Sequence, residues 1–142
     1  MRCKTLIAAA LIITAVCFMF THHVEAQSEK PGNEKLVIVW SSADREVALY
    51  MVFMYISTSK QLGMWDDITL VVWGPSAKLL SEDEALQIHI KHMIELGVVV
   101  KACKMCSDSY GVSHKLEKLG IIVKYMKELT DYIKEGRNIL TF

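Results

Sequence analysis

The sequence predicts an α/β protein, a three-layer α/β/α sandwich around a mostly parallel sheet of about five strands. Short runs of β-branched and apolar residues alternate with helical stretches along the chain. Four of the helical stretches end in a glycine, at Gly63, Gly97, Gly120 and Gly136, and an apolar run follows each within a few residues. Because helices that alternate with strands form right-handed crossovers, the strands run parallel and helices cover both faces of the sheet.

The strands are predicted from their apolar runs. Residues 36–40 (L-V-I-V-W) and 68–73 (I-T-L-V-V-W) are continuously apolar or β-branched, which is typical of strands buried on both faces. The remaining predicted strands are residues 98–102, 121–124 and 138–142.

The helices are predicted between these strands. Their expected ranges are residues 45–62, 77–96 with a break near Ser81, 110–119, and 128–135. The first helix is unusual because residues 47–56 are all apolar or aromatic. A helix without a polar face is normally covered on more than one side. We therefore expect a second subunit to cover it, with a later helix of the same chain as the alternative.

Composition and charge limit the classes of function. The chain has 142 residues, is 52% hydrophobic, and carries 16 basic and 16 acidic residues, so its formal net charge is zero. These values are typical of a globular protein, and the length suggests one domain. Since there is no basic footprint, we expect no nucleic-acid partner.

The first residues have the features of a secretory signal peptide. A short basic start precedes an apolar run over residues 6–20, and small residues stand at Val24 and Ala26, the −3 and −1 positions of a cleavage site. An uncleaved anchor is the alternative, but the run is shorter than the roughly 20 residues that span a bilayer. We predict a signal peptide at 1–26 cleaved after Ala26, a polar linker at 27–35 and a folded domain at 36–142, in a periplasmic or secreted protein without a membrane span.

Two cysteines would remain after cleavage, Cys103 and Cys106, on the loop after the third predicted strand. Ser107, Asp108 and Ser109 follow as a capping cluster that opens a helix. Because a helix start favours negative charge, we expect Cys103 to have a lowered pKa and to be reactive. A disulfide across a two-residue gap constrains the unfolded chain little. The pair is therefore more typical of redox or metal chemistry.

Polar residues are expected around these thiols. The carboxyl ends of parallel strands lie at one edge of the sheet, where ligands commonly bind. Hydroxyl groups, free amides and thiols at this edge suit a small anionic sulfur compound or an oxyanion. The predicted ligand-binding residues are Ser41, Ser42, Gly74, Ser76, Tyr110 and His114.

The stretch A-C-K-M-C-S-D-S-Y-G-V-S-H-K-L-E-K-L-G-I-I-V-K-Y-M, with V-V-W-G-P-S-A-K-L-L upstream, resembles the DsrE/DsrF family of small sulfur-relay proteins, in particular its exported members. The resemblance covers residues 36–142. It implies a trimer or hexamer in which a cysteine after the third strand carries sulfur as a persulfide, and Cys103 matches that position. The chain departs from the best-known members, which act in the cytoplasm, by its signal peptide, so we do not expect tRNA thiolation. It also departs by its second thiol, Cys106.

The resulting hypothesis is a sulfur carrier without a cofactor. The Cys103 thiolate takes sulfur from a donor protein or a small sulfane-sulfur compound, and Cys106 then expels it and leaves a disulfide. One alternative is a thioredoxin-like dithiol oxidoreductase, and another is an oligomer that binds a small ligand without turnover. A metal site of Cys103, Cys106 and His114 lacks the fourth ligand of structural zinc, so no metal is predicted.

Overall fold

The structure is a computed structural model, and it describes residues 34–142. Its strands are β1 (Lys35–Trp40), β2 (Asp67–Val72), β3 (Val99–Cys103), β4 (Ile122–Lys124) and β5 (Asn138–Thr141). They form one five-stranded sheet in the order β4-β3-β2-β1-β5, and every neighbouring pair is parallel. The predicted α/β sandwich is confirmed. The predicted signal peptide and most of the predicted linker lie outside the described residues.

The first helix, α1, begins at Arg45 and ends at Gln61, close to the predicted range. It is α-helical over Arg45–Val47, π-helical over Ala48–Phe53 and α-helical again over Met54–Gln61. The carboxylate of Asp44 caps the start of α1 by accepting hydrogen bonds from the amides of Glu46 and Val47, at 2.7 and 3.2 Å. The inner side of α1 packs on the sheet, while part of its apolar outer side is exposed.

The second helical region is interrupted at Asp83. Helix α2 (Pro75–Glu82) ends there, and helix α3 (Glu84–Glu95) begins. Asp83 has extended backbone (φ −106°, ψ 106°), and its carboxylate accepts a hydrogen bond from the Leu86 amide at 3.1 Å. That amide and the Arg45 guanidinium lower the pKa of the Asp83 carboxyl. The break therefore falls two residues after the predicted Ser81, at the residue able to cap the next helix.

The region after β3 differs most from the prediction. Helix α4 (Lys104–Ser109) begins directly after the strand, and α5 (Ser113–Glu117) follows a turn through Gly111. The predicted capping cluster thus lies inside a helix. The Ser107 hydroxyl donates a hydrogen bond to the Cys103 carbonyl, 2.9 Å away, and therefore does not cap the start of a helix. Helix α6 (Lys127–Lys134) then leads to β5.

The two faces of the sheet are covered unequally. The chain steps in one direction from β1 through β4, so right-handed crossovers place α1, α2, α3 and α5 on the same face. The larger core lies there, beneath alternate strand residues that include Val100 and Ala102. Of the helices in residues 34–142, α6 alone crosses the opposite face, on the return from β4 to β5. Its Tyr132 packs there with a small cluster that contains Val39 and Val71.

This second face also holds a group of charged side chains, the Glu128 cluster, which consists of Lys101, Lys124, Glu128 and Tyr132. The Lys101 ammonium donates to the Glu128 carboxylate and to the Tyr132 hydroxyl, at 2.6 Å each. The Lys124 ammonium contacts the same carboxylate. Burial favours the neutral acid, but the two ammonium groups outweigh it and lower the pKa of Glu128 to about 2.

Acid should therefore weaken the fold through Glu128. Its pKa lies below the ordinary 4.5, so its stabilisation is complete above that pH and is lost as the pH falls towards about 2. In urea titrations across this window, we expect wild type to lose about 1–2 kcal/mol more of its free energy of unfolding than Glu128→Gln loses. Glu117→Gln, which changes an exposed carboxylate of α5, should follow wild type. Equal slopes for wild type and Glu128→Gln would contradict the assignment.

Among the helices of the described part, none combines the length and the apolar character that a bilayer crossing requires.

Candidate functional site

The two cysteines are in contact. Cys103 is the last residue of β3 and the N-cap of α4, with φ −66° and ψ 112°. Cys106 lies in the first turn of α4, and helical spacing brings it back over the strand end. Their Sγ atoms are 3.1 Å apart, and both are free thiols. Since a disulfide has an S–S distance of about 2.05 Å, an approach of about 1 Å would join them.

The two thiols differ in accessibility. The Cys103 side chain is buried, with 6% of the residue exposed, whereas Cys106 is half-buried. Burial raises the pKa of the Cys103 thiol, and the hydrogen bond with Cys106 raises it further, against smaller opposing effects of the Cys106 and Met105 amides. The predicted lowered pKa is therefore wrong. The helix start contributes only two amides, and desolvation of the sulfur is the larger effect.

Ser76 has a structural role instead of the predicted ligand-binding one. It is fully buried, and its Oγ lies 2.6 Å from the Trp40 carbonyl and 3.0 Å from the Trp73 carbonyl. The same oxygen accepts a hydrogen bond from the Trp73 amide at 3.1 Å. The hydroxyl thus joins the ends of β1 and β2, and its hydrogen-bonding capacity is used within the fold.

The other predicted residues of the first two strand ends also have local partners. The amide and the hydroxyl of Ser41 both donate to the Phe142 carbonyl, at 2.7 and 2.8 Å, which ties the last residue to β1. The Ser42 hydroxyl accepts from the Asp44 amide at 3.0 Å, in an exposed turn. Gly74 has φ +65° and precedes α2, a conformation that suits glycine.

The strand ends lie at one edge of the sheet, as predicted, but the site is spread along it. Trp40, Val72 and Ala102 are register partners across β1, β2 and β3. At about 4.8 Å per strand, the end of β1 is about 10 Å from the end of β3. Tyr110 is exposed at the end of α4, and the exposed His114 imidazole faces Glu117 at 3.8 Å. Among residues 34–142, two hydrogen bonds join members of the predicted set: the sulfurs of the two cysteines are in contact, and the Tyr110 amide donates to the Cys106 carbonyl within α4 at 3.1 Å.

The described part of the chain contains no group of three or more His, Cys, Asp or Glu side chains arranged to hold a metal ion. In particular, the His114 side chain is 80% exposed and its described partner is Glu117, not a thiol.

The sequence interpretation missed the lysines next to Cys103. Lys124 is the register partner of Cys103 across β3 and β4, and Lys101 precedes Cys103 by two residues in β3. Alternation along a strand places residues i and i+2 on the same face. The sequence V-V-K-A-C already contained that signal for Lys101, but the position of Lys124 depends on the pairing of two strands.

Comparison with known proteins places the chain in a family. The model of the DsrE/DsrF-like family matches residues 14–142. The chain belongs to the DsrE/DsrF-like family. Sulfur relay is the general activity of that family, so the resemblance stated from the residues around Cys103 is confirmed at the level of the family.

Two solved structures resemble this DsrE-like domain. A conserved protein of unknown function from Bacteroides thetaiotaomicron, BT1422, has 36% identity and a TM-score of 0.75, over 77% of this chain and 95% of that one. The ychN protein of E. coli has 23% identity and a TM-score of 0.61, over 77% of this chain and 99% of that one, and it supports the fold alone. The search of curated proteins found no match.

The structural role of Ser76 can be tested by Ser76→Ala. The variant removes the hydrogen bonds of a buried hydroxyl, while the Trp73 amide keeps its bond to the Trp40 carbonyl at 2.9 Å, so we expect a loss of about 0.5–1.5 kcal/mol in the free energy of unfolding. Urea titration measures this loss. Ser42→Ala, which removes an exposed hydroxyl, should cost no more than about 0.5 kcal/mol. The rate at which a thiol reagent modifies folded Ser76→Ala should equal that of wild type, and a large fall in that rate would restore the ligand-binding interpretation.

Proposed function

We propose that the protein is an exported sulfur carrier in which Cys103 holds sulfane sulfur as a persulfide. The observation that carries the proposal is the contact of two free thiols, 3.1 Å apart, at the carboxyl end of β3 in a DsrE/DsrF-like domain. Export is supported by the sequence pattern of residues 1–26, which lie outside the described structure.

Loading is a nucleophilic displacement at sulfur. After the Cys103 thiol loses its proton to solvent, the thiolate attacks the outer sulfur of a donor such as thiosulfate. A bond forms between Cys103 Sγ and that sulfur while the S–S bond of the donor breaks, and sulfite leaves with the electron pair. The product is a Cys103 persulfide, and the total charge is conserved.

Unloading has two routes. A thiolate of an acceptor protein attacks the outer sulfur, takes it as a new persulfide and returns the Cys103 thiolate. Alternatively, the Cys106 thiolate attacks Cys103 Sγ, which forms a disulfide and expels hydrosulfide. In this second route the two thiols are oxidised, and the sulfane sulfur is reduced to sulfide by the same two electrons. The 3.1 Å contact supports it because little movement joins the two Sγ atoms.

Mass spectrometry of the reduced, folded protein after incubation with thiosulfate or polysulfide tests the proposal. We expect one added sulfur atom on Cys103, no added sulfur in Cys103→Ser, and a longer-lived persulfide in Cys106→Ser because the internal displacement is removed. Cys106→Ser keeps a hydroxyl of similar size as a matched control for packing. Two unmodified thiols in the wild-type protein, or sulfur on Cys106 alone, would refute the assignment.

A dithiol oxidoreductase is the second candidate function, and the same 3.1 Å contact favours it. It predicts a reversible disulfide between Cys103 and Cys106 and reduction of insulin by the dithiol form. These activities without any persulfide on Cys103 would support the oxidoreductase in place of the sulfur carrier.

We also propose that the outer side of α1 binds a second copy of the chain. Tyr50, Met51 and Met54 are exposed there, and Met54 is 57% exposed. They line a groove of about 480 Å³ that also includes Tyr55, Thr58 and Phe142. Large apolar side chains grouped on one surface are typical of a protein interface. The number of subunits, three or six, stays a prediction from the family resemblance.

Met54→Glu tests this interface. A carboxylate that becomes buried between two copies loses hydration without gaining a partner, so we expect at least about a tenfold weaker association, equivalent to about 1.4 kcal/mol. Sedimentation over a range of concentrations measures it. Ile88→Glu is the control, because Ile88 is an exposed apolar residue of α3 that does not line this groove. A wild-type chain that stays monomeric at high concentration would contradict the proposal.

A further inference from the structure

The carboxyl ends of β3 and β4 place two lysines beside the candidate sulfur carrier. Cys103 and Lys124 are register partners in neighbouring strands, so their Cα atoms are about 4.8 Å apart. Their neighbours Ala102 and Val123 pack into the larger core on the first face. Because side chains alternate along a strand, Cys103, Lys124 and Lys101 all project from the second face.

The two lysines share one carboxylate. The Lys101 ammonium is 2.6 Å from Glu128, and the Lys124 ammonium contacts the other oxygen of the same group. The further partner of Lys101 is the Tyr132 hydroxyl, which is neutral. With two ammonium groups and one carboxylate, the Glu128 cluster carries one net positive charge. Glu128 is fully ionised at neutral pH, since its pKa is lowered to about 2.

Other charged groups of this region have their own partners. Arg137 lies over the Tyr132 ring and pairs with Glu135 at 2.7 Å and with Asp67 at 3.7 Å. On α4, Lys104 pairs with Asp108 at 2.8 Å. The group in direct contact with the Cys103 sulfur is the Cys106 thiol. Within the described residues, the excess positive charge next to Cys103 therefore belongs to the Glu128 cluster.

We propose that Lys124, supported by Lys101, is the positioning residue that stabilises the Cys103 thiolate when it forms and attracts anionic donors to it. An opposite charge near a thiol favours its ionised form and opposes the effect of burial. Glu128 holds the Lys124 ammonium close to the sheet. Because Lys101 shares the same carboxylate, that carboxylate does not cancel the positive charge of Lys124. The role in sulfur transfer rests on the proposed function, whereas the effect on the thiol does not.

The first test is a pH titration of Cys103 in the Cys106→Ser background, where a single thiol remains in residues 34–142. The rate of alkylation by iodoacetamide follows the thiolate. We expect Lys124→Met to raise the midpoint by about half a pH unit, which is about a threefold slower reaction at pH 7. Lys124→Arg should restore the midpoint. Glu128→Gln should lower it by a similar amount, because the carboxylate that offsets the lysines is lost.

Lys124→Met and Glu128→Gln are expected to shift the midpoint in opposite directions, and this difference separates an electrostatic role of Lys124 from a structural one. A merely structural contact between Lys124 and Glu128 would be lost equally in both variants, and both would shift the midpoint in the same direction. Lys127→Met is the matched control. Lys127 pairs with Asp131 at 3.4 Å one turn along α6, has no partner in β3 and is exposed. It should leave the midpoint unchanged.

The second test measures attraction of anions. Iodoacetate and iodoacetamide alkylate the same sulfur, but only the first is charged. We expect Lys124→Met to lower the ratio of their rates about threefold, and added salt to lower the wild-type ratio. An unchanged midpoint and an unchanged ratio in folded Lys124→Met, as judged by circular dichroism, would overturn the inference, as would a rise in midpoint in Glu128→Gln. Neither measurement uses a sulfur donor, so absence of a Cys103 persulfide would refute the proposed function and leave this result standing.

Discussion

The handedness of the crossovers determines what surrounds the candidate site. Because β1 to β4 follow one another in one direction, the right-handed connections place four of the helices on one face of the sheet. Within the described residues, the other face is covered by α6 over the middle strands. Cys103 lies at the end of β3 and, by alternation, projects towards this thinly covered face, together with Lys101. The topology therefore places charged groups on the face towards which Cys103 projects, while the opposite face forms the larger apolar core.

Charge on the thin face is organised by a single carboxylate. Lys101 has a side chain that is only 13% exposed, and a buried ammonium needs a charged partner and further hydrogen bonds to compensate for lost hydration. Glu128 and Tyr132, one turn apart on α6, supply both. The contact ties α6 to β3, and the second contact with Lys124 ties it to β4. One group thus contributes to the attachment of the helix and to the electrostatic potential at the strand ends.

Much of the fold was readable from the sequence because buried parallel strands are continuous apolar runs with glycines before them. All four predicted helix stops adopt left-handed backbone, with φ between 61° and 85°. The location of the thiols at the end of β3 followed from the same pattern. The pKa of Cys103 could not be predicted from that pattern, because a preference for helix-capping residues carries no information about desolvation by distant residues. Ser76 was misjudged for a related reason: its partner carbonyl at Trp40 is 36 residues away in sequence. Lys124 was missed because strand register is a tertiary property.

The raised pKa of Cys103 does not argue against a sulfur carrier, because burial and reactivity act at different steps. Burial disfavours the thiolate of Cys103, whereas a donor that reaches the sulfur meets a site with excess positive charge next to it. Cys106 is the more accessible of the two sulfurs and contacts Cys103 directly. In the proposed cycle, the buried sulfur accepts the atom and the half-buried one removes it. Low accessibility then limits loss of the persulfide to solvent, and the adjacent thiol provides a release route that needs no opening of the core.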